Sequence, residues 1–198
     1  NLFYNVDAAT NITVKNTDNV TNFSHALAKI SGLDVSNLNL NRGENFEYAF
    51  YNSTLVNAEN MSLPNATLFK YAFYGVSTDS DTLNISIPNV TDLYYSFGYF
   101  KKPNINFVSI GDVTNLNYAF YYSDVVSVTG LDYSNVTNMD YAFGYTDVVN
   151  IDIEAPLLTS AKYTFRDCKS LKNFRFICPS LTSVDSNFLY NVSSFDRV

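Results

Sequence analysis

The sequence predicts a solenoid in which each coil contributes one parallel strand and one short turn, and three observations support this. A phrase reading V-T-N-L-x-Y-A-F in its clearest copies returns eight times at a spacing of 22 to 24 residues, closing on Leu27, Phe50, Phe73, Phe97, Phe120, Phe143, Phe165 and Phe188. Set beneath one another on these anchors, the copies form columns that each hold one kind of residue. The other half of each repeat alternates apolar and polar residues with the period of a half-buried strand.

A period in the 20–29 range is that of a leucine-rich-repeat solenoid. The expected architecture is therefore one domain over residues 1–198, with about eight repeats across roughly 18–190, strands on one face and short helical or 3₁₀ turns on the other. Apolar residues seven before, four before and at the anchor, as in Val113, Leu116 and Phe120, have a helical spacing. About seven residues cannot sustain a long helix, so one turn per coil is expected. The threonines six before the anchor, among them Thr114, Thr137 and Thr182, read as caps of that turn, with Thr137/Asp140 and Thr182/Asp185 as capping boxes.

Strands are expected at Met61/Leu63, Ile85/Ile87, Leu131/Tyr133, Ile151/Ile153 and Phe174/Phe176. Pro64, Pro88, Pro156 and Pro179 end four of them, each nine residues before its anchor. Strands stacked about 4.8 Å apart would make a rod of roughly 40 Å. The position before the anchor is small (Ala26, Ala49, Ala72, Ser96, Ala119, Ala142, Thr164), which lets coils approach. Asn22, Asn45, Asn115 and Asn138, five before the anchor, suit a polar ladder between coils. The segments 1–18 and beyond Phe188 are expected either to cap the core or to mark a cut within a longer array. The chain opens on Asn1 and is expected to be a mature or excised piece.

Composition removes several function classes. A net charge of −7 with 12 scattered Lys and Arg argues against nucleic acid, whose phosphates need clustered cations. No apolar run reaches the roughly 18 residues that a membrane span requires, so membrane insertion by this chain is not expected. Cys168 and Cys178 lack metal-site spacing and read as buried small hydrophobes, so neither a metal nor a cofactor is expected. Catalysis needs an activated nucleophile or a positioned acid and base. The single histidine, His25, stands in a column otherwise filled by tyrosine, and an enzyme is not expected.

Two stretches carry a family resemblance. Cys168-Lys169-Ser170-Leu171-Lys172-Asn173-Phe174-Arg175-Phe176, followed by Pro179-Ser180-Leu181-Thr182-Ser183-Val184 and Phe188, is similar to the Treponema-type repeat of BspA-like bacterial surface proteins. Leu131-Asp132-Tyr133-Ser134-Asn135-Val136-Thr137-Asn138-Met139 resembles the related repeat of surface lipoproteins and adhesins of low-GC bacteria. The resemblance implies a secreted or cell-surface module that binds an extracellular protein or glycan on a host or neighbouring cell. Asn-x-Ser/Thr sequons then follow from the repeat columns and are not expected to carry glycans.

Two surfaces are candidates for binding. Tyr48, Tyr71, Tyr95, Tyr118, Tyr141 and Tyr163 share the column two before the anchor, and Tyr122 and Tyr145 lie just beyond it. Stacked and exposed, such rings suit a protein or glycan; half-buried, they are packing between coils. The second is the outward strand face, with Asn60, Asn84, Asp132, Asp152, Glu154 and Arg175. The alternative to a binding module is a structural stalk or spacer that presents another domain.

Overall fold

In the computed structural model, residues 14–192 are described; residues 1–13 and 193–198, which include most of both end segments, lie outside the description. The chain winds as a parallel β-solenoid. Its strands are β1 (Ser31–Asp34), β2 (Thr54–Val56), β3 (Asn60–Ser62), β4 (Ser77–Thr78), β5 (Thr82–Ile87), β6 (Asn104–Ile110), β7 (Ser127–Thr129), β8 (Asn150–Glu154) and β9 (Asn173–Ile177). They stack in three parallel sheets, β1-β2-β4, β3-β5-β6-β7 and β8-β9. The register sets Ile85 beside its repeat equivalent Met61 and Ile151 beside Phe174, while β6 slips by one residue against β5, with Ile85 beside Phe107 and Ser86 beside Ser109.

All eight anchors are buried. The phenylalanines form a continuous column, with ring centroids 5.0 Å apart from Phe50 to Phe73, 5.5 Å from Phe73 to Phe97, 5.8 Å to Phe120 and 5.1 Å to Phe143. Each fully buried ring stabilises the fold by about 1.5–3 kcal/mol relative to exposure. The small residues before the anchors are buried behind this column, apart from the half-buried Ala26. Where they are polar they return a bond to the preceding coil: Ser96 Oγ donates to Phe69 O (3.0 Å) and Thr164 Oγ1 to Met139 O (3.0 Å). In the last coil the packing loosens, and Val184 is 55% exposed where its repeat equivalents are buried.

The turn side takes a form that spacing alone does not reveal. Three-residue turns are present, such as Ala49 N–H to Phe46 O (2.9 Å) and Ser53 N–H to Phe50 O (3.0 Å), but no helix forms among the described residues. The cause is the residue between them. His25, Tyr48, Tyr71, Tyr95, Tyr118, Tyr141 and Tyr163 all have φ between 52° and 57°. A left-handed residue stops helix propagation. It also turns the peptide so that its N–H points to the next coil: Tyr95 N–H reaches Asn117 O (3.2 Å), Tyr118 N–H Asp140 O (2.9 Å) and Tyr141 N–H Lys162 O (2.8 Å). Lys29, Asn52, Gly75, Tyr99, Tyr122, Tyr145 and Asp167 repeat this conformation two residues after the first seven anchors.

Capping is also assigned differently. The threonine hydroxyls reach backward across coils, with Thr137 Oγ1 donating to Thr114 O (3.1 Å) and Thr159 Oγ1 to Thr137 O (3.1 Å). The asparagine column closes the turn instead: Asn45 Oδ1 accepts from Glu47 N–H (2.9 Å), Asn115 Oδ1 from Asn117 N–H (3.0 Å) and Asn138 Oδ1 from Asp140 N–H (2.9 Å). A side chain two residues ahead of its donor suits Asn, whose amide is one atom longer than a hydroxyl. The expected ladder is present at Asn115, whose Nδ2 donates to Asp92 Oδ1 (2.9 Å). Asp185 caps across coils, accepting Tyr163 N–H at Oδ2 (2.8 Å).

The expected strand at Leu131/Tyr133 does not form. Gly32-Leu33-Asp34-Val35-Ser36-Asn37 and Gly130-Leu131-Asp132-Tyr133-Ser134-Asn135 are two copies of one phrase, with left-handed glycines at φ 72° and 75°. In each the Asp accepts the Ser N–H two residues on at 2.9 Å, bending the chain off the strand path. Both copies lie where the stacked sheet is interrupted and border clefts of about 420 Å³ and 270 Å³.

Candidate functional site: the aromatic face

The left-handed columns build the most distinctive surface of the molecule. His25, Tyr48, Tyr71, Tyr95, Tyr118, Tyr141 and Tyr163 form one unbroken stack. Successive centroids lie 4.5, 4.6, 5.0, 4.4, 4.6 and 4.5 Å apart, with planes within 8°. The spacing is the coil rise, so repetition of the backbone imposes the stack. All seven rings are half-buried. Both faces of each interior ring are covered by neighbours, and the ladder presents ring edges and hydroxyls to solvent.

A second row flanks it. Tyr51 stacks on Tyr74 (5.0 Å, 7°), Tyr99 on Tyr122 (5.3 Å, 7°) and Tyr122 on Tyr145 (4.2 Å, 9°). Tyr121 joins the rows edge-on, meeting Tyr118 at 5.3 Å and Tyr141 at 5.7 Å. Tyr99 and Tyr122 are 39% and 42% exposed, so the outer row is the more accessible one. Arg166 closes the C-terminal end, with its guanidinium 4.9 Å from Tyr190, 5.7 Å from Tyr163 and 5.8 Å from Tyr145.

Burial among other rings raises the phenols of Tyr48, Tyr71, Tyr74, Tyr95, Tyr118, Tyr121 and Tyr141 above the ordinary tyrosine value. It holds Tyr71 and Tyr95 well above the usual tyrosine range and pushes Tyr121 up to about 12. Chemically the face is a ribbon of neutral hydroxyls on a rigid aromatic support.

The strand-face candidates behave differently. Asn60, Asn84, Asn106 and Thr129 satisfy one another: Asn84 Nδ2 donates to Asn60 Oδ1 (3.1 Å), Asn106 Nδ2 to Asn84 Oδ1 (2.9 Å) and Thr129 Oγ1 to Asn106 Oδ1 (2.9 Å). Arg175 spans Asp152 (2.6 Å) and Glu154 (3.2 Å) and offsets one of their two charges. Asp132 lies in the turn after β7 and joins neither group. Both cysteines are free. Cys168 is buried as expected, while Cys178 is part-exposed because it follows β9 on the looser last coils.

Tyr94, which meets Tyr71 edge-on at 5.6 Å, and Arg166 were not legible as parts of this face. Arg166 shares the position just after the anchor with Tyr121, but Gly98 and Gly144 interrupt that column.

Residues 94–198 match the BspA type leucine rich repeat region in six copies, a little over half of the chain. The chain belongs to the BspA-type leucine-rich-repeat family. Residues 1–84 match the family described as Mycoplasma protein of unknown function, DUF285. No curated protein and no solved structure matches the chain. BspA-type repeats are associated with surface protein-interaction modules, and their solenoid is typically a binding scaffold without enzymatic activity. In this BspA-type chain no helix among the described residues is long and apolar enough to cross a membrane.

Proposed function

We propose that the chain is a bacterial surface or secreted adhesion module whose aromatic face engages an extracellular protein or glycan. The carrying observation is the occupancy of the left-handed columns. Each left-handed tyrosine costs roughly 1–2 kcal/mol of backbone strain, and Gly75, Asn52 and Asp167 in the same columns indicate that the fold accepts other residues there. A half-exposed row of amphipathic rings, rigid before contact, gives large contact area at low entropic cost. The self-paired strand face offers less to a partner.

The test is capture of host-matrix proteins, mucins or whole cells by the wild-type chain and by a Tyr99→Ser/Tyr122→Ser variant. Loss of about tenfold in affinity, near 1.4 kcal/mol, is expected for truncating two interface rings. Full retention refutes the assignment and favours the alternative, a structural spacer. That second reading draws on the ring stacks themselves, which stiffen the solenoid along its axis.

A further inference from the structure

We propose that the cleft beside β3 is a site for an N-acetylhexosamine residue, separate from the aromatic face. The asparagine ladder of the strand face has a direction, because Thr129, Asn106 and Asn84 each donate to a residue on the coil before. Its last bond, Asn84 Nδ2 to Asn60 Oδ1 (3.1 Å), leaves Asn60 Nδ2 as the terminal donor. Each bond in such a chain polarises the next, which strengthens that donor. The rung before it is missing. The repeat equivalent of Asn60 is Asn37, but the turn from Asp34 to Ser36 holds that segment off the strand path, and Asn37 gives its Nδ2 to Ser36 Oγ (3.3 Å).

The cleft of about 420 Å³ opens at this break, within the range of roughly 300–1,000 Å³ that ligand pockets occupy. The coils meet again at both of its ends, where Val35 N–H reaches Val56 O (3.1 Å) and Asn65 Nδ2 reaches Asn41 O (2.6 Å). A strand running through is thereby blocked, and a compact ligand entering from outside is admitted. No charged side chain is among the lining residues. Asn39 and Asn57 are committed through Nδ2 to Asp18 (2.8 Å) and Asp34 (3.1 Å). The Asn41 amide and the Ser62 hydroxyl make no side-chain hydrogen bond among the described residues.

An acetamido group is the amide that continues the ladder, its carbonyl accepting from Asn60 Nδ2 as Asn60 Oδ1 accepts from Asn84. The sugar ring then offers hydroxyls to Asn41 and Ser62 and an apolar C–H face to Leu38 and Met61, which also line the cleft. An acidic sugar would bring a carboxylate without a cation in the lining to pair it. The second cleft lacks this chemistry: Tyr133 stands in the place of Val35 in the phrase, and Asp152 in the column of Asn60.

The experiment is ligand-observed NMR titration of the chain with the methyl glycosides of N-acetylglucosamine, N-acetylgalactosamine and glucose. Saturable binding of an acetamido sugar, about tenfold tighter than the glucoside, is expected, and the two epimers distinguish a wall-type from a mucin-type source. Asn60→Asp keeps an acceptor for Asn84 and removes the terminal donor, so it should erase that preference without moving the melting temperature. Val35→Tyr, which brings the ring of the second cleft into the first, should abolish binding. The proposal is overturned if neither acetamido sugar binds at millimolar concentration, if the glucoside binds equally, if Asn60→Asp retains the preference, or if folded Val35→Tyr binds as the wild type does. Displacement by N-methylacetamide at equal affinity would overturn it in favour of a bare amide, such as a protein side chain. Tyr99 and Tyr122 are not among the residues of this cleft, so their effect on capture tests the aromatic face separately.

Discussion

Replacing Tyr118 by alanine and by glycine separates the ring's contribution from that of its backbone. Tyr118 has φ 56°, stacks on Tyr95 at 4.4 Å and on Tyr141 at 4.6 Å, and donates its N–H to Asp140 O at 2.9 Å. Alanine removes two stacking contacts of about 0.5–1.5 kcal/mol each but keeps the left-handed strain. A loss of about 2–3 kcal/mol is expected, including some burial. Glycine loses the same contacts and relieves roughly 1–2 kcal/mol of strain, offset by about 0.4–1 kcal/mol of extra freedom in the unfolded chain. The glycine variant is therefore expected to be more stable than the alanine variant by roughly 1 kcal/mol. For a chain of this size that is about 2–4 °C in melting temperature. The assay is paired thermal and urea unfolding, with the exposed Ser62 on β3, which pairs in register with Ser86, as the control position. There, on an extended strand, alanine should exceed glycine by about 0.5–1 kcal/mol. If Tyr118→Gly proves less stable than Tyr118→Ala, the left-handed columns are not the source of strain inferred here.

Gly130→Ala should be severe, because a Cβ there would lie 2.0 Å from Phe107 O at φ 75°; a loss of about 2–4 kcal/mol or failure to fold is expected in a melting experiment. Cys168→Ser should cost less than about 1 kcal/mol in urea unfolding, because the Cys168 thiol donates to Phe143 O (3.0 Å) in a column where Ser53 and Ser123 hydroxyls make backbone bonds. Burial pushes the Cys168 thiol up to about 11 and raises Cys178 less, so disulfide-exchange labelling near neutral pH should modify Cys178 first. Stability should begin to fall near pH 9, where the Cys168 thiol ionises in the unfolded chain but not in the folded one, and fall further above pH 10. Tyr121 ionises near the ordinary tyrosine value of 10.0 when unfolded and at about 12 when folded, so above pH 10 the unfolded chain holds fewer protons and gains relative to the folded one. Unfolding midpoints measured from pH 8 to 12 should fall across that window, and a constant midpoint would contradict the burial of the ladder.

The sequence by itself determined the period, the buried anchors, the strand-ending prolines and the tyrosine column, because each is a one-dimensional repetition of a residue type. It also placed His25 in that column, where the structure stacks it 4.5 Å from Tyr48. Backbone handedness was decided only in three dimensions. An i, i+3, i+7 pattern of apolar residues is the same whether a helix or a left-handed break lies between them, and Tyr carries no sequence mark of positive φ as Gly does. The partner of each polar group was likewise tertiary. Thr137 could cap its own turn or reach Thr114 O, and the second bond wins because stacking brings the preceding coil within 3.1 Å. Arg175 is equally a solvated strand residue or a partner of Asp152 and Glu154 until the register of β8 and β9 sets it opposite them. What stacking adds to the repeat is contact at fixed spacing, and that decides which columns pair among themselves and which, like Tyr99 and Tyr122, stay exposed.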